Sequence, residues 1–303
     1  MYDLIIIWAW SAGYPAGMYS SRYWMKNLII WAQPGGALAT SHKVENYPWV
    51  LSASGKEIMD SFKEHAIKAG SEIILENVEK VTKHEDHFHI ITSSKKEFKA
   101  KYVIVATGNN HRHLWVVWEK EFLGKWVSYC ATCDWMFFKW RDIVLAGGWN
   151  TALTEALYLS DIVNKVYLVH RRDTFRAEDI WVEQAKKKEN IEFVLNEEVV
   201  EIKWWILWME EVVLKSGKIL KADGIFVAIW TLANTKIIDD MDLEKDDEGC
   251  LIVDSRQETS LKWLYAAGDV TTNSNKFRQT IMSAAEGCLA ANSIHEDLMK
   301  ENG

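Results

Sequence analysis

The residues best suited to chemistry are two cysteines three positions apart, Cys130 and Cys133, which Asp134 follows directly. At this spacing the two sulfurs can close a small disulfide ring. In dithiol–disulfide exchange one thiolate attacks, and its neighbour resolves the mixed disulfide. The adjacent carboxyl group is a candidate acid for protonating the departing thiolate. The sequence therefore predicts a redox dithiol.

Half of a structural zinc site is the alternative interpretation of this cysteine pair. Such a site needs four ligands, and the sequence has no second close pair of cysteines or histidines to complete it. The remaining cysteines, Cys250 and Cys288, stand alone. The redox hypothesis is favoured, and no metal site is predicted.

Length, charge and hydropathy limit the class of protein. The 303 residues suffice for two domains with hydrophobic cores. The 35 basic and 43 acidic residues give a net charge of −8, which argues against a nucleic-acid binder. No apolar run is long enough to span a membrane, no signal peptide is recognisable, and so few cysteines suit a reducing compartment. We expect a cytoplasmic protein without nucleic-acid or membrane partners.

A strand–turn–helix unit occurs twice in the chain. The apolar runs 4–7 and 142–146 are predicted as buried strands, and each enters a turn and then a helix. The two turns correspond at a constant offset of 139 residues, which matches Trp8, Trp10 and Gly13 with Gly147, Trp149 and Ala152. A duplicated unit of this kind is typical of two dinucleotide-binding domains. The predicted fold class is α/β, with two Rossmann-like domains.

The turns of the two units depart from the pattern that such domains need. The first glycine makes the tight turn, the second lets the backbone approach the pyrophosphate, and the third allows close helix–strand packing. The second unit keeps Gly147, Gly148 and Ala152 but has Trp149 in the middle, whereas the first unit keeps only Gly13. From spacing alone, two ordinary βα units without a nucleotide remain possible.

Basic residues follow the second strand of the second unit. They lie 23–29 residues after Gly147 and are His170, Arg171, Arg172 and Arg176. An acidic residue there would bind the 2′-hydroxyl of NAD, whereas arginines accommodate the 2′-phosphate of NADP. A solvated basic face is the alternative, and the adjacent arginines favour NADP.

Five segments resemble motifs of the low-molecular-weight thioredoxin reductases. They are residues 44–48, 106–108, 128–134, 170–177 and 267–270, and the match is collinear over essentially the whole chain. The resemblance implies FAD, NADPH, a homodimer and thioredoxin as the disulfide substrate. It also implies an FAD-binding domain made of residues 1–112 and 245–303, into which an NADPH-binding domain with the dithiol, residues 113–244, is inserted.

The same resemblance assigns roles to individual residues. Cys133 would face the flavin and Cys130 would attack thioredoxin, with Asp134 as the acid. Candidate contacts in the FAD-binding domain are Gly13, Gly35, Gly36, Asn46, Ala106, Thr107, Gly108, Gly268, Asp269, Arg278 and Gln279. Candidate NADPH contacts are Gly147, Gly148, Thr151, Glu155, His170, Arg171, Arg172 and Arg176. Asp269 would hold the ribityl chain, and Thr151 and Glu155 would line the pyrophosphate and ribose.

Tryptophan is abnormally abundant, with 17 residues against 16 glycines. Ten tryptophans stand where the family has glycine: Trp8, Trp10, Trp49, Trp115, Trp126, Trp135, Trp140, Trp149, Trp230 and Trp263. An indole at position 8 or 10 would occupy the space of the pyrophosphate. Either glycines have been replaced in this chain, or tryptophan does not describe the residue at these positions. Glycine-like turns at 8, 10 and 149 would favour the second explanation.

The leading functional hypothesis is a thioredoxin reductase, which passes electrons from NADPH through FAD and the Cys130–Cys133 dithiol to thioredoxin. One alternative is a related flavoprotein that acts on another disulfide or dithiol. The other alternative is a non-catalytic family member that has lost FAD binding.

Overall fold

The computed structural model describes residues 1–32, 38, 44, 46–111, 113–205, 208–229 and 231–302, except the side chains of residues 111, 231, 276 and 302. The backbone forms two compact units. The first unit is Met1–Asn110 with Leu232–Gly303, and the second is His111–Thr231. The second unit is therefore an insertion in the sequence of the first.

Strands and helices alternate in the first part of each unit, and several consecutive strands follow them. In chain order the strands are β1 (Tyr2–Ile7), β2 (Asn27–Trp31), β3 (Glu72–Leu75), β4 (Val78–Lys83), β5 (Phe88–Thr92), β6 (Glu97–Val105), β7 (Asn109–His111), β8 (Val127–Ser128), β9 (Asp142–Gly147), β10 (Lys165–His170), β11 (Ile191–Leu195), β12 (Val199–Trp205), β13 (Trp208–Leu214), β14 (Ile219–Lys221), β15 (Gly224–Ala228), β16 (Thr231–Ala233) and β17 (Leu264–Ala266). The α-helices are α1 (Trp10–Arg22), α2 (Gly55–Ala69), α3 (Ala131–Asp134), α4 (Asn150–Ser160), α5 (Asp179–Lys186) and α6 (Thr280–Asn302).

The first unit has three layers around a parallel sheet. Its sheet order is β3-β2-β1-β6-β5-β4, with β17 paired to β6. Strands β1, β2, β3, β6 and β17 are parallel. The apolar runs of β1, β2 and β17 are buried, as is typical of the central strands of a parallel sheet. Helices α1, α2 and α6 cover one face, and the antiparallel strands β4 and β5 contribute to the core on the other.

The second unit repeats this arrangement. Its parallel sheet has the order β11-β10-β9-β15-β8. Helices α4 and α5 pack on one face, and the antiparallel meander β12-β13-β14 packs on the other. The predicted α/β fold with two Rossmann-like units is confirmed.

The second boundary between the units differs from the predicted domain boundary at 244/245. In the structure the chain re-enters the first unit at 231/232. Residues that follow this point pack on the core of the first unit, among them Ile238, Met241 and Leu243. The connecting strands β7 and β16 pair with each other. The division into an FAD-binding and an NADPH-binding domain stays a prediction, since no ligand marks it.

In the described part of the chain, eight tryptophans have a left-handed backbone: Trp8, Trp10, Trp24, Trp49, Trp115, Trp118, Trp140 and Trp263. For a residue with a Cβ this conformation costs roughly 1–2 kcal/mol. The eight together would remove an amount comparable with the ~5–15 kcal/mol stability of a typical domain. The backbone at positions 8 and 10 is glycine-like, whereas Trp149, with φ −109° and ψ 178°, is extended.

Among the described residues, no helix has both the length and the apolar character that crossing a membrane requires.

Candidate redox and dinucleotide sites

The predicted dithiol is a disulfide in the structure. Cys130 and Cys133 are bonded, with their Cα atoms 5.3 Å apart. Cys130 directly precedes α3, and the N–H groups of Cys133 and Asp134 both donate to its carbonyl at 3.2 Å. This single turn brings the sulfurs together. Because α3 has only one turn, its dipole contributes little to the stability of a thiolate.

Ser128 connects the candidate acid to the segment that carries Cys130. Its buried side-chain oxygen donates to Asp134 Oδ2 at 2.7 Å and accepts the N–H of Cys130 at 3.0 Å. Ser128 begins the cysteine motif, but its position in the motif predicts no role for it. In the structure it fixes the carboxylate of Asp134 relative to the dithiol.

Tyr129, which precedes Cys130, belongs to a polar network that sequence reasoning missed. Its hydroxyl donates to the buried carboxylate of Glu119, and His113 Nδ1 lies 2.7 Å from the same hydroxyl. The Glu119 carboxylate also accepts the N–H groups of Leu114 and Trp115, each at 2.8 Å. The network ties the segment that enters the second unit to the segment that leads into the dithiol.

Glu155 lies beside the dithiol segment. It is on α4, and the backbone N–H of Ala131 favours the ionised form of its carboxyl group. Burial raises the pKa of Glu155 to about 7, and the N–H of Ala131 opposes this shift. The predicted role of Glu155 in lining the NADPH ribose stays a prediction, and the contact with Ala131 is an additional one.

We expect Glu155→Gln to alter how stability depends on pH. A carboxyl group with a raised pKa holds its proton in the folded state while the unfolded state ionises. Stability is therefore lost as pH rises from the ordinary value of 4.5 to about 7. At 1.36 kcal/mol per unit the loss is up to ~3 kcal/mol. Urea unfolding at pH 4.5 and pH 8 should show that the variant lacks this loss.

The matched control is Glu183→Gln. Glu183 is on α5 and pairs with Lys186 at the surface, and this contact lowers its pKa. Removal of that carboxylate should give no gain in stability at pH 8. An identical pH dependence in wild type and Glu155→Gln would contradict the role assigned to burial.

The two glycines of the turn after β9 make this turn suitable for binding a dinucleotide. A Cβ on Gly147 would lie 2.6 Å from the carbonyl oxygen of Ala228, and a Cβ on Gly148 would lie 2.1 Å from the ring of His170. Neither position tolerates a side chain. Helix α4 begins directly afterwards, with the exposed Thr151 in its first turn. The fit supports the prediction that this turn binds the NADPH pyrophosphate.

The predicted NADP arginines lie next to this turn. His170 ends β10, and its Nε2 donates to the carbonyl of Thr174 at 3.1 Å. Burial, followed by the charges of the nearby arginines, lowers the pKa of His170. Arg171, Arg172 and Arg176 are exposed, and the N–H of Arg176 donates to the carbonyl of Gly148 at 2.8 Å. A basic edge at this place suits a 2′-phosphate.

In the first unit, the segment after β17 places several predicted residues together. Gly268 has φ +81°, and its N–H donates to the buried Glu286 at 2.7 Å. Asp269 accepts a bond from Ser283 at 3.4 Å, and burial raises the pKa values of Asp269 and Glu286. A buried carboxyl group of this kind suits a neutral polar ligand such as a ribityl hydroxyl.

Other predicted FAD contacts occur in two separate places. Ala106, Thr107 and Gly108 follow β6, and the buried hydroxyl of Thr107 has no hydrogen-bond partner among the described residues. Asn46 donates to Gln279 at 2.9 Å. Arg278 pairs with Glu248 at 3.2 Å, so the structure places its guanidinium against an acid. Gly35 and Gly36 lie outside the described residues.

The turn after β1 does not fit FAD as its side chains stand. The indoles of Trp8 and Trp10 pack together, with ring centroids 4.9 Å apart. The Trp10 ring lies 3.6 Å from where a Cβ on Gly108 would be, so it lies over the carboxyl end of β6. The neighbours of β1 are β2 and β6, and the carboxyl end of β1 is therefore the place where a dinucleotide binds. The indoles leave a pyrophosphate no room there.

Gly13, at the third position of the glycine pattern in this turn, packs closely against the backbone of Trp8. Gly13 is buried in α1, and a Cβ there would lie 2.1 Å from the carbonyl oxygen of Trp8. The backbone of the first turn thus keeps the approach that a dinucleotide fold needs. The disagreement with FAD lies only in the two indoles.

Comparisons with known proteins agree with the two units and the disulfide. The sequence model of the pyridine nucleotide-disulphide oxidoreductase family matches residues 2–287. The thioredoxin reductase of Helicobacter pylori is 35% identical, over 97% of this chain and 98% of the relative.

Two solved structures have the same fold. The thioredoxin reductase from Streptococcus pyogenes superposes with a TM-score of 0.91 at 31% identity, over 99% of both chains. That from Giardia duodenalis gives a TM-score of 0.92 at 30% identity, over 98% of this chain and 99% of the other. The predicted family is confirmed. The chain therefore belongs to the pyridine nucleotide-disulphide oxidoreductases and, within them, to the low-molecular-weight thioredoxin reductases, enzymes that use NADPH and FAD to reduce a disulfide.

Proposed function

We propose that this enzyme reduces the disulfide of thioredoxin through Cys130 and Cys133, and that it works as a homodimer in the cytoplasm. The observation that carries the proposal is the Cys130–Cys133 disulfide, with the Asp134 carboxyl group held beside it by Ser128. The relatives are named thioredoxin reductases, and they support the choice of substrate.

The exchange itself needs only the residues of the second unit. In the reduced enzyme, the Cys130 thiolate attacks one sulfur of the substrate disulfide and releases the other as a thiolate, which takes a proton from Asp134. Cys133 then attacks Cys130 Sγ in the mixed disulfide, and its thiol proton passes to the substrate sulfur that leaves. The enzyme disulfide re-forms, and the substrate leaves as a dithiol with two electrons and two protons gained.

The disulfide in the structure is the oxidised end of this cycle. NADPH, when bound, supplies the two electrons that return the pair to the dithiol. The residues that would hold NADPH are Gly147 and Gly148 at its pyrophosphate and the exposed arginines at its 2′-phosphate. Glu155, on α4, lies beside the segment after Cys130, where the backbone of Ala131 favours its ionised form.

A turnover screen tests the choice of substrate. Purified enzyme would be given NADPH and, in turn, thioredoxins, glutathione disulfide and a small aromatic disulfide. We expect a kcat/KM for thioredoxin well above those for the small disulfides. Preference for a small disulfide would indicate the alternative, a related flavoprotein with another substrate. The absence of turnover with every substrate would indicate a non-catalytic member.

We expect Arg171→Ala to raise the KM for NADPH about tenfold or more and to leave the KM for NADH nearly unchanged. A charge-assisted hydrogen bond to the 2′-phosphate is worth about 1.5–3 kcal/mol, and NADH lacks that phosphate. Steady-state kinetics with both cofactors measure the difference. Lys187, an exposed residue at the end of α5, supplies the control Lys187→Ala. An equal loss with NADH would show that Arg171 acts on the fold.

The homodimer and the cytoplasmic location rest on the resemblance and on composition. Light scattering of the purified protein should give about twice the chain mass of 35.0 kDa. A monomeric mass with full turnover would remove the dimer from the proposal and leave the dithiol chemistry intact.

A further inference from the structure

We infer that glycine, and not tryptophan, occupies at least eight positions in the protein as its organism makes it. These are the positions with a left-handed backbone: Trp8, Trp10, Trp24, Trp49, Trp115, Trp118, Trp140 and Trp263. At the turn after β1, the indoles of Trp8 and Trp10 occupy the space that FAD would need. Positive φ values at all eight positions point to glycine.

The left-handed conformation is distributed among residue types in an abnormal way. Of the thirteen described non-glycine residues with positive φ, eight are tryptophan, while six glycines have it. Only a few per cent of non-glycine residues adopt this conformation, with asparagine, aspartate and histidine enriched among them. Seventeen tryptophans should therefore contribute about one at most. In this chain tryptophan behaves as glycine does.

Helices α2 and α1 end with the same backbone geometry, which glycine adopts after α2 and tryptophan adopts after α1. After α2, Gly70 has φ +113°, its N–H donates to Ile67, and the next N–H donates to Ala66, both at 3.0 Å. After α1, Trp24 has φ +59° and the same two bonds form at the same distances, to Ser21 and Ser20. This is the Schellman motif, whose left-handed residue is usually glycine.

Three tight turns have tryptophan at a position that glycine normally occupies. Turns 47–50, 138–141 and 261–264 are each closed by a bond from the fourth N–H to the first carbonyl at 3.0–3.1 Å, with Trp49, Trp140 and Trp263 in third place. Lys139 has φ −56° and ψ 128°, so the turn of Trp140 is of type II, which requires glycine or asparagine in third place. Turn 122–125 has the same closing bond, at 2.9 Å, and holds Gly124 there.

Burial offsets little of the strain at four of these positions, because their side chains are largely exposed. Trp24, Trp49, Trp115 and Trp140 are 95%, 103%, 78% and 74% exposed. Tryptophan is normally among the more buried residues, because its large apolar surface favours the core. Trp181 behaves in this normal way, since it lies in α5 and packs on the core of the second unit.

Glycine at positions 8 and 10 resolves the misfit with FAD. It removes both indoles from the carboxyl ends of β1 and β6 and leaves a backbone whose positive φ values, +74° and +21°, carry no Cβ penalty in glycine. At all eight positions the inferred residue is glycine and the residue in the sequence is tryptophan. A single codon that the organism decodes as glycine accounts for all of them.

Peptide mapping of the enzyme purified from its own organism tests the inference. Glycine lacks the indole and the Cβ, so each position lowers the mass by about 129 Da. We expect an intact mass at least about 1.0 kDa below 35.0 kDa, with glycine in the peptides of all eight positions and tryptophan at Trp181. Tryptophan at Trp24, Trp49 or Trp140 would overturn the inference.

A recombinant pair gives a second measurement. One chain carries tryptophan at the eight positions, and the other carries glycine at all of them. We expect the glycine chain to unfold at a temperature at least several degrees higher and to keep its flavin through gel filtration. Higher thermal stability and full flavin content in the tryptophan chain would overturn the inference. The substitution Trp181→Gly, which removes a packed side chain from a helix, should lower the melting temperature.

Discussion

The Cys133→Ser variant is expected to lose about three or more orders of magnitude of NADPH-dependent thioredoxin reduction, because the pair acts as a unit. Cys130 is left as a lone thiol that still attacks a disulfide but has no neighbour to resolve the product. Incubation of the variant with oxidised thioredoxin should therefore trap a stable mixed disulfide, which intact mass spectrometry detects.

The complementary variants assign the two roles. Cys130→Ser should lose turnover to the same extent and trap no thioredoxin, if Cys130 is the attacking thiol. Cys288→Ser is the control: this half-buried thiol on α6 has a pKa raised by burial to about 11, and it stays protonated and unreactive. Loss of turnover in the control, or trapping by Cys130→Ser, would contradict the assignment.

The Gly287→Ala variant is expected to lose about 3 kcal/mol or more of unfolding free energy. Gly287 lies where α6 crosses α1, and a Cβ there would be 2.1 Å from the carbonyl oxygen of Ala12 and 2.9 Å from its carbon. A backbone atom cannot rotate away as a side chain can, so the helices must separate. Overpacking of this kind costs ~1–3 kcal/mol where neighbours can adjust, and more where they cannot.

Gly70→Ala separates this clash from backbone strain. Gly70 has φ +113°, but its Cβ would have only the Ser21 side chain nearby, at 3.9 Å. Its loss should be roughly 1–2 kcal/mol, from conformation alone. Urea unfolding of both variants at constant m-value measures the two losses. A smaller loss in Gly287→Ala than in Gly70→Ala would show that α6 and α1 adjust freely.

The elements that hold the parallel sheets could be predicted from the sequence. The strands expected over 4–7 and 142–146 are β1 and β9, each slightly longer than its apolar run, and the helices expected after them are α1 and α4. A continuous apolar run is a local signal, and burial on both faces makes it strong. Residues 72–83 form two strands, β3 and β4, with a break that alternation alone does not mark.

In the candidate site, too, only the features that are local in sequence could be predicted. The spacing of Cys130 and Cys133 is local, and it predicted the disulfide. The contact of Glu155 with the N–H of Ala131 and the network around Glu119 join residues that are separated along the chain. No spacing rule reports such contacts, because the fold alone brings these residues together.

The insertion has a consequence for synthesis on the ribosome. Helix α1 completes its packing only with α6, where Ala290 and Ile294 join its core and Tyr23 donates to Asn292 at 2.8 Å. Strand β6 likewise gains β17 as a partner only late. Domains fold as they emerge, so the inserted unit can finish while the first unit still lacks its last strand and helix. Until those elements are synthesised, the apolar face of α1 awaits a partner about 270 residues downstream, and part of the edge of β6 awaits one about 160 residues downstream. Such large sequence separations slow folding. Nascent chains of this protein should therefore depend on chaperones that shield the first unit, whereas the second unit should need little help.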